Sequence, residues 1–264
     1  MDGREFLTSR RRFLTAAAGV GSASIATAGC LAAATPAPPS LPEDRLDADG
    51  WELVEEERGE AFSETYLGRE LTATATTEVY ENVPLREELA GKTLGEVTDA
   101  PVSFFASRVT FDPNLADLPA DVGSGLILDE VEANAREMLE TRMAENGVED
   151  VEETGSGTLT VDSGEEARRT DLRGTLPFEP ISLPVAGDEP VTLAEDVVPI
   201  AGRLAVWEFG ETVLVGGGAF PAENVATSLN EDLSSAISVA IEVDLGLEPE
   251  RYEVDLLDLV RAVE

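Results

Sequence analysis

Two features of the first thirty residues are equipped for chemistry. Arg10 and Arg11, within Ser9-Arg10-Arg11-Arg12-Phe13-Leu14, precede a mildly apolar run from Phe13 to Ala28. Thr27-Ala28-Gly29 then leads to Cys30, the single cysteine of the chain. A paired arginine ahead of an apolar stretch is the pattern read by twin-arginine export machinery, and a small-residue run ending at cysteine is where a signal is cleaved and the thiol takes a lipid. The run is too short and too polar to span a bilayer, which takes about 20 predominantly apolar residues. The expectation is a signal peptide over residues 1–29 and a lipid on Cys30, with the mature protein at the outer face of the cytoplasmic membrane. A lone cysteine forms no internal disulfide, so oxidation does not staple the fold.

Elsewhere the sequence excludes more chemistry than it offers. It contains no histidine, so no Ser-His-Asp or Cys-His arrangement can be built and no imidazole can ligate a transition metal. Gly216-Gly217-Gly218 lies in an apolar, strand-like segment and lacks both the Walker lysine and the G-x-G-x-x-G spacing. It reads as a bulge or a close backbone approach at a strand end, and no cofactor is expected. Carboxylate chemistry stays open, either a glycosidase-type pair or a hard-metal site, but no calcium-loop spacing selects a pair among so many acids. Arg168, Arg169 and Arg173 stand out on an acidic chain. They read either as an anion clamp or as cross-strand partners of local acids, and neighbours on a strand must face opposite ways.

Charge describes the solvent. Removing residues 1–29 leaves 52 acidic against 14 basic residues, a formal charge of −38. Such a charge swells a compact domain unless salt screens it, and the Debye length falls to about 3 Å only near 1 M. The acids are spread along the chain rather than massed in one run, which is the pattern of a halophile's surface. Nucleic acid and anionic membrane surfaces are poor partners for it.

The elements that must position any site follow from periodicity. Residues 30–49 are rich in Ala, Pro and acid and read as a tether, and residues 50–264 as one globular domain. Strands are expected at 50–57, at 69–82 with one wet face, and at 101–111 as a more buried strand. Val131, Ala135, Met138, Leu139 and Met143 recur at helical spacing between Leu128 and Asn146, where Asn146-Gly147 supplies a stop. A hairpin follows over 156–176, then a proline-rich surface excursion over 177–200, then a central hairpin of 203–210 and 212–220 with Trp207 in the core. Apolar residues at intervals of four from Val225 to Ile241 predict a helix over 223–243, and Tyr252 to Val263 a last one with Pro249 near its start. The order predicts an α+β fold, a single antiparallel sheet with packed helices.

The export signal, the cysteine motif, the GWE opening strand, VSFFASRVTFDP, VEDVEETGSGTLTVDSGEEA and LAVWEFGETVLVGGGAFP, in that order, resemble an uncharacterised family of haloarchaeal lipoproteins of unknown function. The strand-helix-strand order is more distantly similar to PsbP-like domains, mostly non-catalytic assembly or binding factors. The resemblance brings no catalytic residues. The expected function is a lipid-anchored, non-catalytic binding or assembly module that touches the bilayer through Cys30 alone and meets a surface or membrane protein. A carboxylate-dependent hydrolase of surface polymers and a passive structural lipoprotein are the alternatives. Replacing Arg10 and Arg11 by Lys is expected to hold the precursor in the cytoplasm, and Cys30→Ser to release folded protein into the medium. Fractionation of cells reads both, and normal export of the first variant overturns the signal assignment.

Overall fold

Alternating and glycine-punctuated segments of this sequence pair into long antiparallel hairpins, and these assemble one sheet. The computed structural model describes residues 37–66, 68–92, 102–117, 124–178, 181–183, 191–193, 196–224, 226–234 and 237–264. Arg10, Arg11 and Cys30 lie outside the described residues.

A short helix α1 (Glu43–Asp49) closes on Gly50, whose φ of 70° takes the left-handed cap that glycine adopts without strain. Strands β1 (Trp51–Tyr66) and β2 (Arg69–Asn82) form a long hairpin, followed by helix α2 (Val83–Lys92), strand β3 (Ser103–Asp112) and the long helix α3 (Ser124–Glu145). Next come β4 (Glu149–Thr160) and β5 (Glu166–Phe178), the short ribbon of β6 (Ile181–Leu183) and β7 (Val191–Leu193), and the hairpin of β8 (Asp196–Phe209) and β9 (Thr212–Pro221). A second ribbon, β10 (Ala226–Ser234) and β11 (Ile237–Asp244), precedes helix α4 (Pro249–Arg261). The main sheet has seven strands in the order β1-β2-β3-β9-β8-β5-β4, every neighbouring pair antiparallel. The α+β class read from the sequence is the observed one.

Both faces of the sheet are covered by helix. On one face α4 presents Tyr252, Leu256, Leu259 and Val260 to Phe104, Trp207 and Leu214. On the other, α3 presents Ile127, Val131, Leu139 and Met143 to Val213, Val215, Leu204 and Leu172. Since β3 and β9 are packed from both sides, their sequences read as nearly continuous apolar runs. The glycine triplet lies inside β9 in regular register, without the expected bulge. The close-approach half of that expectation holds. A Cβ on Gly218 would overlap the Ser103 carbonyl and come within 2.6 Å of Leu256, while one on Gly217 would stand 2.5 Å from the Arg203 carbonyl.

Several expectations are corrected. The helix predicted over 223–243 is the β10–β11 ribbon, for an interval of four residues is also two strand periods and does not separate the two structures. The tether predicted through residue 49 joins the fold by residue 40. The Ser40 amide donates to the Glu264 carbonyl at 2.6 Å, the Glu264 amide donates back at 2.9 Å, and Arg45 of α1 donates to the Asp258 carbonyl and to Asp162. β2 has no uniformly wet face. Thr76 and Tyr80 are buried on the side expected to be wet, where Trp51 and α2 fold back and the Tyr80 ring lies 5.8 Å from Phe104. The proline-rich excursion continues the β5–β8 ladder as far as Phe178 and Asp196 and carries β6 and β7. Helix α2 is an addition to the expected elements, although Asn82 caps it by accepting from the Leu85 amide at 3.1 Å.

The glycine contacts generate a paired test. Gly218→Ala must force β3 and α4 away from β9 and is expected to cost about 3 kcal/mol, the upper range for overpacking. Gly59→Ala, where a Cβ meets nothing within 4 Å, is expected to shift stability by less than about 0.5 kcal/mol. Urea unfolding in molar KCl measures both.

Candidate functional site

Helix α3 runs across the sheet over β8 and β9 and reaches β4. The same face of β1 and β2 is therefore left beside the helix rather than under it, and a groove opens there. Its deep end, about 240 Å³, is floored by Ala75, Val109, Val131, Ala135 and Val215, with Phe62 lining it from β1. Small residues make the space, since Gly59 pairs with Ala75 across β1 and β2. The two floor hydroxyls, Thr77 on β2 and Ser107 on β3, stand opposite each other in register and are hydrogen-bonded to each other at 2.7 Å. That bond lets both be buried in an apolar floor.

A shallower end of about 480 Å³ continues along α3, sharing Glu57, Asn134 and Met138 with the deep end. Its walls carry Glu55, Glu57, Glu137 and Glu145 against a single cation, Arg142. Arg142 donates to Glu55 at 3.0 Å and to Glu57 at 3.1 Å, so both β1 carboxylates are tied to α3. Asn134 spends its amide hydrogens on Glu130, donating to the backbone carbonyl at 2.9 Å and to the carboxylate at 3.0 Å. Its oxygen accepts nothing among the described residues, nor is Glu137 or Glu145 bonded to a cation there. The groove is thus an apolar slot whose polar rim consists largely of hydrogen-bond acceptors.

The three arginines singled out in the sequence are not brought together. Arg168 faces α3 and is bonded to Asp129 and Glu132. Arg169 and Arg173 lie on the opposite face by strand alternation. Arg169 donates to Asp171 at 3.1 Å, and Arg173 to Glu223 at 3.1 Å. Asp171 also pairs with Arg203, which reaches Glu253 of α4 at 2.7 Å and stacks over Phe220. Each of the three arginines pairs with an acid, but the partners lie on α3, within β5 itself and after β9, so the cross-strand pairing expected from the sequence is not what the geometry contains. No three potential metal ligands converge among the described residues, and no described helix is long and apolar enough to cross a membrane. Asp255, whose carboxyl is pushed up by burial and by nearby Asp49, sits on α4, outside the groove.

The sequence could not reveal the groove, because its walls come from β1, β2, β3, β9 and α3 and share no motif. The available signals were small residues at 59, 61 and 75 and hydroxyls at 77 and 107 within strands otherwise facing a core.

Fold and groove together define an α+β domain of three layers with a ligand-sized slot on one face of its sheet. The chain belongs to the Domain of unknown function family DUF6517, whose profile matches residues 38–264. No curated protein and no solved structure matched it.

The arginine contacts differ in worth. Glu132 accepts from both Arg168 and the buried Thr170 hydroxyl, the latter at 2.8 Å. Glu132→Leu strands that hydroxyl and is expected to cost about 1 to 3 kcal/mol. Glu223→Gln, which loosens only the exposed Arg173 pair, is expected to change nothing measurable. Equal losses in urea unfolding would refute this ranking.

Proposed function

We propose that this chain is a non-catalytic binding or assembly module, exported by the twin-arginine route and held by a lipid on Cys30 at the outer face of a halophilic archaeon's cytoplasmic membrane. The groove between β1 and α3 is its binding site. One observation carries the reading: an apolar slot with buried walls is left open on a sheet whose opposite face is covered by helices. Sites for small ligands are concave, mostly apolar and provided with a few placed polar groups, and this slot meets each condition. Two of the four groove carboxylates, Glu55 and Glu57, are tied to Arg142, which takes them out of the free carboxyl pair that a hydrolase needs. A passive spacer has no use for such a slot.

Gly59→Trp fills the groove from a position where added atoms meet open space. Wild type and this variant, each extracted from cells in molar salt, are to be compared by mass spectrometry of co-purifying small molecules and proteins. A species retained by wild type and lost from Gly59→Trp is the expected result. Identical profiles would overturn the groove as the binding site and favour the spacer.

A further inference from the structure

Resting on the groove as the binding site, we infer that its ligand is a small amphiphile with a primary ammonium group: an apolar body in the deep slot, and the ammonium donating to Asn134 and Glu137.

The size and polarity of the two ends select this class. At about 30 Å³ for each water-sized group, the deep end has room for about eight such groups, which matches a medium alkyl chain or a small aryl-alkyl body. The floor offers such a body mainly apolar contact from Ala75, Val109, Val131, Ala135 and Val215, while the Thr77–Ser107 bond engages one of the two hydroxyl hydrogens there. Where slot meets rim, Asn134 lines both ends with an oxygen that accepts no bond, its hydrogens being spent on Glu130. Glu137, next to Met138 in the chain, lines the shallow end and has no cationic partner among the described residues. A group placed there meets acceptors and negative charge. An anion is repelled by four glutamates set against one arginine already engaged twice. A neutral alcohol donates a single hydrogen and gains nothing from the charge. A quaternary ammonium brings charge without a donor, and so cannot use the Asn134 oxygen. A primary ammonium supplies three hydrogens and the matching charge, and charge-assisted bonds are roughly twice as strong as neutral ones. Half-buried Asn134 holds its part of the contact in salt that screens the exposed Glu137 carboxylate.

The test is calorimetric titration of the full chain in molar KCl at neutral pH with octylammonium, octyltrimethylammonium and octanol. Octylammonium is expected to bind about tenfold or more tightly than either of the others. Glu137→Gln, at an exposed helix position, should reduce that preference, and Gly59→Trp should abolish binding of all three. Circular dichroism checks that each variant is folded, and Val131→Phe provides a second way to fill the slot. Equal binding of octylammonium and octanol, both lost in Gly59→Trp, would overturn the ammonium assignment while leaving the groove as a binding site. Equal binding of the two cations would overturn the donor argument. If no probe binds and Gly59→Trp leaves the co-purifying species unchanged, both this inference and the reading beneath it fall.

Discussion

The structure depends on backbone-level contact at the centre of its sheet. Gly216, Gly217 and Gly218 give β9 almost no side-chain thickness over three residues, so Val260 and Leu256 of α4 rest on the strand from one side and the Phe105 ring from the other. Glycine weakens an isolated strand, and here burial supplies the compensation, at roughly 1.5 to 3 kcal/mol for each large apolar side chain enclosed. β9 is also where the two halves of the sheet meet, with β1, β2 and β3 on one side and β8, β5 and β4 on the other. Seating α4 on this strand fixes that seam. It also brings residues 261–264 to the point where Ser40 and Asp162 pair with them.

The two faces are finished differently, and the difference makes the groove. On the α4 face, α1 and α2 add Leu46, Leu85 and Leu89 to the core around Trp51 and Tyr80. Burial and the hydrogen bond to Glu78 hold the Tyr80 phenol neutral beyond its usual range. On the other face a single helix must serve a sheet seven strands wide. α3 is drawn toward β5, where Arg168 and Thr170 bond Asp129 and Glu132, and the β1 side is tied across open space by Arg142. The slot is the width that one helix leaves uncovered.

Where each residue's neighbours in sequence are also its neighbours in space, the sequence is legible. β2, β3, α3, the β4–β5 and β8–β9 hairpins and α4 follow from periods of two and of three to four, with Gly210 at a tight turn and Pro249 at a helix start. Legibility fails where one pattern serves two structures. The fours between Val225 and Ile241 fit a ribbon as well as a helix, and the alternation in β2 conceals that Tyr80 points into a second core. α2 escapes a reading by periodicity, because its signal lies in Pro84 taken together with the Asn82 cap. The candidate site is beyond reach for a different reason, since its lining is spread from Glu55 to Val215 and becomes a set only when β1 is laid beside α3.

The join at Ser40 also sets how the chain enters the domain. Along the chain, the bridge of two backbone hydrogen bonds between Ser40 and Glu264 comes first, then the packing of Leu41 and Leu46 on the core and the Arg45 contacts, and only afterwards β1. The first backbone hydrogen bonds that the chain makes on entering the domain are thus with its last residue, so the two ends of residues 40–264 close on each other before the sheet begins.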